Sequence, residues 1–306
     1  MTMIDPELSY KLYSDEIIYR PPPESESILL QVAVGCSYSE CTFCREQAHH
    51  RFKAYPLAEV EEKIAILASL PENKHKKELF FVGENCLVLP TQHLVAILQA
   101  VHELLPQVEH INMYGRAVEI LQKGHADLTT LKNLGVSSIY VGIESGSDQV
   151  LKNCKKGENT AQMLKALQLL DEVGLTYSLS SIIGLGGEEL AWEHATKTAE
   201  FYNQVHPKSI RLMTLSPEKG TTMLADIQAG RFHQLPPWKT ILEERLLLKN
   251  LTVENCLVYG NHFSNILPLV ARWTEDKELV LEKMDEIICS MDLEKIHSKD
   301  FDHMYE

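Results

Sequence analysis

Short apolar runs rich in β-forming residues alternate along this chain with longer segments in which apolar residues recur every three or four positions. Continuous apolar runs are typical of strands buried on both faces, and the longer spacing is typical of amphipathic helices. The predicted strands are 28–34, 79–82, 110–114, 138–143, 177–183 and 209–214, and the predicted helices between them are 57–70, 91–105, 127–134, 160–173 and 188–205. This alternation predicts an α/β fold with a parallel sheet and right-handed crossovers.

The rhythm changes after residue 215, where prolines and glycines interrupt the chain before a helix near 239–251. An extended piece at 257–259 and a final helix at 276–290 follow. We therefore predict an N-terminal extension (1–27), a core domain (28–215) and a C-terminal α-rich extension (216–306) that covers the core. Periodicity leaves a flat doubly wound sheet and a barrel-like sheet both open, and both bind ligands at the carboxyl ends of their strands.

The overall charge favours a small-molecule ligand over a nucleic acid. With 43 acidic and 29 basic residues, the formal net charge is −14, whereas nucleic-acid binders cluster lysine and arginine against phosphates. The two basic runs, at 74–77 and 152–156, are short. No apolar run approaches the roughly 18–20 residues of a membrane span, and the N-terminus lacks the pattern of a secretory leader. We expect a cytoplasmic protein that binds neither nucleic acid nor membrane.

Three of the seven cysteines, Cys36, Cys41 and Cys44, lie within nine residues, directly after the first predicted strand. Three thiolates on one loop can each bind one iron of a [4Fe–4S] cluster and leave the fourth iron open to another ligand. The same loop with His49 and His50 also fits a structural zinc site of the Cys₃His type, although no second CxxC pair is present. The cysteines alone leave both kinds of metal site open.

This loop, with a glycine before it and Phe43 before the last cysteine, resembles the cluster-binding loop of the radical S-adenosylmethionine (SAM) superfamily. The likeness is to a subgroup with a CxxxxCxxC spacing, and it spans about residues 19–270 through the segments YRPP, RFxxxPLxEV, GIESGS, GLGGEE, RLMTLSPEKG and residues 262–269. It implies a partial (β/α)6 TIM-like barrel with a [4Fe–4S] cluster and SAM as cofactors. The implied activity is reductive cleavage of SAM to a 5′-deoxyadenosyl radical, which takes a hydrogen atom from a small-molecule substrate. A flavodoxin- or ferredoxin-like protein would supply the electron.

The resemblance also assigns SAM contacts to residues that follow the strands. Carboxylates suit the amino group and sulfonium of SAM, arginines suit its carboxylate, and glycines let the backbone approach the adenine. Each assignment has an alternative, such as a helix cap, a pairing with lysine, a surface salt bridge or a simple tight turn. The residues assigned are Phe43, Glu84, Arg116, Glu144, Ser145, Gly184, Gly186 and Arg211.

The substrate is expected to contact the segment 45–51, which departs most from the subgroup, and the position after the second predicted strand. The candidate catalytic residues there are Glu46, His49, His50 and Cys86, with Asn112, Tyr114, His262 and Asn265 as further pocket candidates. A solvated loop explains the first segment equally well, and a small buried hydrophobe explains the cysteine.

Three functions remain open at this point. The first is a radical SAM lyase, for which a loose likeness indicates a deazapurine substrate and release of an aminomethyl-deazaguanine from queuine during queuine salvage. The second is a radical SAM oxidoreductase that acts on a tetrapyrrole or another metabolite. The third is a zinc-stabilised binding protein without catalysis. We favour the lyase.

Overall fold

The computed structural model describes residues 11–14, 18, 20–45 and 52–290, and the structural statements below concern these residues. Its helices are α1 (Leu57–Ser69), α2 (Thr91–Leu104), α3 (Ala117–Asn133), α4 (Asp148–Asn153), α5 (Thr160–Val173), α6 (Gly187–Tyr202), α7 (Thr222–Gln228), α8 (Pro237–Asn250) and α9 (Lys277–Ser290). Its strands are β1 (Ile28–Gln31), β2 (Ala33–Val34), β3 (Lys53–Ala54), β4 (Glu78–Val82), β5 (His110–Tyr114), β6 (Val136–Glu144), β7 (Thr176–Ile183), β8 (Ser209–Thr214), β9 (Cys256–Tyr259) and β10 (Val270–Trp273).

The predicted order of strands and helices is confirmed, and most bounds agree within a few residues. The predicted strand 28–34, however, divides into β1 and β2, which belong to different sheets. The clearest exception is α3, for which only the second half was predicted. Gly124 interrupts this helix with φ 64° and ψ 177°, so the two helical pieces on either side do not share one continuous apolar face. The pieces α4, α7, β3 and β10 were not predicted, because segments of two to seven residues are too short to show a period.

In the described residues, eight strands form one sheet in the order β1-β4-β5-β6-β7-β8-β9-β10. The pairs β1–β4, β4–β5, β5–β6, β7–β8 and β8–β9 are parallel, whereas β9–β10 is antiparallel. The α/β prediction with a mostly parallel sheet is therefore confirmed. Among the described helices, none is long and apolar enough to cross a membrane.

The chain divides into two compact units that do not follow the predicted boundaries at 27/28 and 215/216. Unit 1 comprises Met1–Ser39, His49–Val141 and Ala166–Tyr177, and unit 2 comprises Glu40–Ala48, Gly142–Lys165 and Ser178–Glu306. Each unit is made of three separate segments of the chain, whereas the prediction has one continuous core domain followed by an extension. The predicted domain boundaries stay a prediction.

Within unit 1, a small hairpin brackets the loop that carries the first cysteine. Strand β2 pairs antiparallel with β3, so the chain on either side of residues 35–52 is held together at its base. Lys63 on α1 supports this base, since its ammonium donates to the backbone oxygen of Gln31 (3.3 Å) and lies 3.4 Å from the ring centroid of Tyr55. The ends of the loop are thus fixed by backbone pairing and by one buried cation.

Candidate cluster and SAM site

The first half of the cysteine loop turns sharply out of β2 and contacts neighbouring segments of unit 1. Gly35 has a φ of 73° and Ser39 a φ of 49°, both in the left-handed region that permits a tight turn. The Ser39 hydroxyl donates to the backbone oxygen of Cys36 (2.5 Å), and the Asn85 amide after β4 donates to the Ser37 hydroxyl (2.8 Å). Cys36 is half-buried at this turn.

The second half of the loop is held by backbone hydrogen bonds within unit 2. The N–H of Thr42 donates to the carbonyl of Cys154 at the end of α4 (2.9 Å), and the carbonyl of Thr42 accepts from the N–H of Met223 in α7 (2.8 Å). The N–H of Cys44 donates to the carbonyl of Cys41 (3.1 Å), which closes a turn between these two cysteines. The spacing of this CxxC pair is therefore fixed by the backbone.

Phe43 anchors the same segment in an apolar cluster of unit 2. Its side chain is partly buried against this cluster together with those of Leu190, Met213, Ile227 and Phe232. The buried members of the cluster are Val150, Cys154, Ile182, Leu185, Leu215 and Met223. An aromatic side chain between Cys41 and Cys44 thus supplies packing for the loop, in addition to the adenine contact that the sequence predicts for it.

The donor chemistry of this loop fits an iron–sulfur cluster. None of the seven cysteines, all of them described, forms a disulfide, and Cys36 and Cys44 are partly exposed while Cys41 is 9% exposed. In the described ranges, no three His, Cys, Asp or Glu side chains are grouped closely enough to hold a single metal ion. A [4Fe–4S] cluster makes a different demand, because each protein thiolate binds a different iron.

Glu144, at the carboxyl end of β6, combines an unusual backbone with a buried ion pair. Its φ is 60°, a left-handed conformation that costs a non-glycine residue about 1–3 kcal/mol. Its carboxylate lies 3.1 Å from the ammonium of Lys156, which is in turn 3.9 Å from Glu158. The lysine pairing that the sequence left as an alternative is therefore present, while the strained backbone at a strand end is typical of a functional site. The SAM contact of Glu144 stays a prediction.

The segment after Glu144 is a tight turn built onto helix α6. Ser147 caps α4, since its hydroxyl accepts from the N–H of Val150 (3.3 Å), while the hydroxyl of Ser145 accepts from the N–H of Ser147 (3.0 Å). The N–H of Gly146 donates to the hydroxyl of Thr198 on α6 (2.9 Å). A Cβ at position 146 would lie 2.6 Å from the Cα of Thr198, so only glycine fits this close approach.

Replacing Gly146 by alanine is expected to destabilise the protein by roughly 1–3 kcal/mol, the usual cost of overpacking, because the new methyl group would meet helix backbone that cannot swing away. Chemical denaturation would measure this difference. Gly230→Ala is the matched control, since a Cβ there meets nothing within 4 Å and the change adds only the strain of a φ of 68°. Equal losses in the two variants would contradict the packing argument.

The glycine-rich segment after β7 is the second tight turn of unit 2. Gly184 has a φ of 86°, and its N–H donates to the carboxyl of Glu243 on α8 (2.7 Å). A Cβ on Gly186 would lie 3.0 Å from the backbone of Leu190 in α6, so the turn sits closely against the helix that follows it. These two glycines leave backbone, rather than side chains, at the end of β7, as the predicted adenine contact requires.

Arg211 in β8 lies near His262, and a second pocket candidate, Asn265, joins the segment after β9 to the end of β8. Burial and the positive charge of Arg211 together lower the pKa of His262 to about 4, so this imidazole is neutral. The amide of Asn265 accepts from the N–H of Thr214 (2.9 Å) and donates to the carbonyls of Leu212 and Gly260 (3.0 and 2.9 Å). The segment after β9 is thereby tied to the end of β8.

In unit 1, Arg116 follows β5 and lies against the cysteine loop. Its guanidinium carbon is 4.1 Å from the ring centroid of Tyr38, and one of its nitrogens is 4.0 Å from Glu119. Glu84 follows β4 and is partly buried. Tyr38 is two residues after Cys36 in the sequence, so stacking on its ring brings the charge of Arg116 to the cysteine loop. This position is consistent with the predicted role of Arg116 in binding a carboxylate.

Cys86, a candidate catalytic residue, has the surroundings of a structural cysteine. Its side chain is fully buried, and its thiol lies 3.4 Å from the carbonyl oxygens of both Phe81 and Gly83. Burial, with a smaller contribution from the charge of Glu84, raises the pKa of this thiol well above its usual range. A reactive cysteine needs the opposite environment, so the alternative of a small buried hydrophobe is favoured.

The other three catalytic candidates, Glu46, His49 and His50, lie outside the described residues. The structure adds His194 and Glu243, which sequence reasoning missed and which contact the segments after β6 and β7. Both lie on helices where charged residues usually indicate a solvated face. Only their burial, at 0% exposure each, distinguishes them.

Comparisons with known proteins show what this chain is similar to. The sequence profile of the radical SAM superfamily matches residues 30–201. The 4′-phospho-dehydrooxetanocin synthase of Priestia megaterium is 27% identical over 177 residues, which cover 51% of this chain and 23% of that protein. Methylornithine synthase (PylB) has a TM-score of 0.53 at 15% identity, over 91% of this chain and 85% of that one. Elp3 of Methanocaldococcus infernus has a TM-score of 0.53 at 16% identity, over 85% and 63%.

The chain belongs to the radical SAM superfamily, whose members use a [4Fe–4S] cluster and SAM, act on small-molecule substrates and take electrons from a reductant. The structural likeness confirms the predicted partial TIM-like barrel fold. This membership favours the cluster over the zinc-stabilised binding protein. The matched region spans only 23% of the length of the Priestia megaterium synthase, so the activity and substrate of that protein do not transfer to this chain.

Proposed function

We propose that this chain holds its [4Fe–4S] cluster through Cys36, Cys41 and Cys44, and uses it to cleave SAM and act on a small-molecule substrate. Held by these three cysteines and reduced by an external donor, the cluster would supply the one electron needed for reductive cleavage of SAM to methionine and a 5′-deoxyadenosyl group that takes hydrogen from the substrate. The observation that carries the proposal is the fixed backbone of the cysteine loop. Thr42, between Cys41 and Cys44, forms backbone hydrogen bonds through both its N–H and its carbonyl. Such a loop presents Cys41 and Cys44 at a fixed spacing.

Residues on and after the strands of each unit support binding of SAM rather than electron transfer alone. A cluster that only transfers electrons needs no SAM-binding residues, whereas unit 1 carries Arg116 after β5 and unit 2 carries the strained Glu144, the glycines after β7 and Arg211 within β8. We assign the amino acid portion of SAM to Glu84, Glu144, Arg116 and Arg211. We assign the nucleoside portion to Phe43, Ser145, Gly184 and Gly186. Their side chains and backbones would orient SAM and exclude water from it.

For the reaction type we propose a lyase, with queuine lyase as the specific activity to test. The support is the loose sequence likeness and the acidic net charge, which disfavours a polyanionic substrate. Queuine is a deazapurine base with several hydrogen-bond donors and a cyclopentene diol. Carboxylates such as those at the strand ends would accept hydrogen bonds from these groups. The source of the electron would be a flavodoxin- or ferredoxin-like protein.

Anaerobically reconstituted protein is expected to convert SAM to 5′-deoxyadenosine and methionine when a strong reductant is supplied, because an open iron can chelate SAM. Chromatography with mass spectrometry would quantify both products. Protein prepared with zinc in place of iron is the control and should give neither. An iron-loaded preparation that leaves SAM intact would overturn the proposal.

Addition of queuine to the same mixture is expected to increase 5′-deoxyadenosine formation and to yield an aminomethyl-deazaguanine base. Guanine, which lacks the cyclopentene diol, is the matched control substrate. If SAM is cleaved but queuine is recovered unchanged, queuine is not the substrate. An oxidised product that keeps its whole carbon skeleton would instead indicate an oxidoreductase.

A further inference from the structure

Two buried polar side chains of unit 2 join segments that belong to different motifs. His194 on α6 and Glu243 on α8 are both 0% exposed, and neither was expected to have a role. His194 contacts Ser145 in the turn after β6, and Glu243 contacts Gly184 in the turn after β7. The two side chains also lie near each other, with 3.6 Å between the Nε2 of His194 and a carboxyl oxygen of Glu243.

The hydrogen bonds of His194 fix both its tautomer and the direction of the Ser145 hydroxyl. Its Nε2 lies 3.0 Å from the carbonyl oxygen of Ile182, which can only accept, so Nε2 carries the proton. Its Nδ1 is then an acceptor, and it receives the hydroxyl proton of Ser145 at 2.8 Å. Burial lowers the pKa of His194 to about 4, so the ring stays neutral at physiological pH. The Ser145 oxygen accepts the N–H of Ser147, so this buried hydroxyl is held from both sides.

The Glu243 carboxyl performs the corresponding task for the second turn. One of its oxygens accepts from the N–H of Gly184 at 2.7 Å, which holds the glycine in its left-handed conformation. Its other oxygen has no hydrogen-bond partner within the described part of the chain. Burial raises the pKa of Glu243 to about 8, and the neighbouring Glu244 adds to the rise. The carboxyl is therefore mostly neutral at pH 7.

We propose that His194 and Glu243 are positioning residues that orient the Ser145 turn and the Gly184 turn for the nucleoside portion of SAM. The proposal rests on the assignment of these two turns to SAM made above. Helices α6 and α8 pack against each other in unit 2, so one rigid pair of helices sets both turns at once. A shift of either side chain would move the Ser145 turn or the backbone of the Gly184 turn, and so change how these turns fit a ribose or an adenine.

Substitutions of His194 can separate its two hydrogen bonds. Asparagine places an acceptor near the position of Nδ1, whereas glutamine places a donor near that of Nε2. We expect His194→Asn to keep most of the affinity for SAM and His194→Gln to weaken it about tenfold, which corresponds to one lost hydrogen bond of about 1.4 kcal/mol. Equilibrium dialysis of SAM against cluster-loaded protein would measure the dissociation constant, with iron content determined for each variant.

The pH profile of SAM binding tests Glu243. The groups that face it are His194 on α6, the N–H of Gly184 and Glu244 on its own helix. Affinity of the parent protein is expected to fall as pH rises through about 8, because ionisation of Glu243 places a charge in a buried site. Glu243→Gln should make this fall clearly smaller. Glu244 is also buried with a pKa of about 8, but no described hydrogen bond joins it to either turn, so Glu244→Gln should keep more of the fall.

Distinct outcomes separate this proposal from the function on which it rests. If the cluster-loaded parent protein binds no SAM, the proposed function fails. If it binds SAM while the asparagine and glutamine variants of His194 bind it with the parent affinity, the positioning role is wrong. Equal weakening in both variants, in proportion to lost stability measured by denaturation, would indicate a merely structural role and would also overturn the proposal.

Discussion

Replacement of Cys41 by serine is expected to abolish both the bound cluster and the cleavage of SAM. A serine hydroxyl is nearly the same size as the thiol but ionises far less readily, so it is a poor ligand for iron. Reconstituted parent protein should hold about four irons and four sulfides per chain. The variant should lose the brown colour, most of its iron and all formation of 5′-deoxyadenosine above the protein-free background. Cys36→Ser and Cys44→Ser should behave alike.

The matched control for these variants is Cys289→Ser. Cys289 is an exposed cysteine on α9, and its replacement should leave iron content and SAM cleavage unchanged. Inductively coupled plasma mass spectrometry gives the metal content, and chromatography gives the nucleoside product. A Cys41 variant that keeps its iron and still cleaves SAM would show that the ligand set is wrong. A parent protein that binds one zinc and no iron would support the alternative metal site.

Much of the fold could be predicted because the pattern of apolar residues in the sequence matches the pattern of buried residues in the structure. The strands β4, β5 and β8 are short segments whose buried positions are mostly apolar, and their observed bounds differ from the predicted ones by no more than one residue. Helix α5 was predicted with its observed bounds, since its apolar positions share a face and Gly174, with a φ of 74°, ends it. Where a glycine breaks a helix internally, as at Gly124, the same reasoning gave only one of the two pieces.

The candidate site was predictable only where a motif carries its chemistry in consecutive residues. The cysteine loop and the turns after β6 and β7 could be recognised in this way. The partners of those turns could not, because Lys156, His194 and Glu243 are distant in the sequence from the residues they contact. In the sequence the segment Glu243–Glu244–Arg245 resembles a solvated helix face. Packing buries the first two side chains and leaves the third to pair with Asp285.

Helix α8 therefore carries two carboxyl groups that the fold keeps away from water. Burial raises the pKa of both Glu243 and Glu244 to about 8 from the ordinary value of 4.5. In the unfolded chain both groups ionise above about pH 4.5, while in the folded chain they hold their protons until about pH 8. The unfolded state thus binds fewer protons over this range, and the free energy of unfolding must fall as the pH rises.

Substitution of both residues by glutamine is expected to remove this fall. Between about pH 6.5 and pH 8 the double variant Glu243→Gln/Glu244→Gln should gain stability over the parent protein, on the order of 1 kcal/mol or more. Below about pH 6.5 a second effect enters, since the pKa of His194 is lowered from 6.5 to about 4 and protonation then favours the unfolded state. Because His194 lies 3.6 Å from Glu243, the substitution changes this effect too, so the comparison is made above about pH 6.5.

Urea denaturation of parent and double variant at a series of pH values would measure the difference directly. Glu200→Gln, an exposed change on α6 beside Lys197, is the control for loss of a carboxyl group alone and should track the parent protein at every pH. A difference between parent and double variant that stays constant from about pH 6.5 to pH 8 would mean that the two carboxyls are already ionised in the folded protein. Burial would then be compensated by water or by a partner group. A widening difference would instead establish α8 as the element that makes the stability of this enzyme depend on pH.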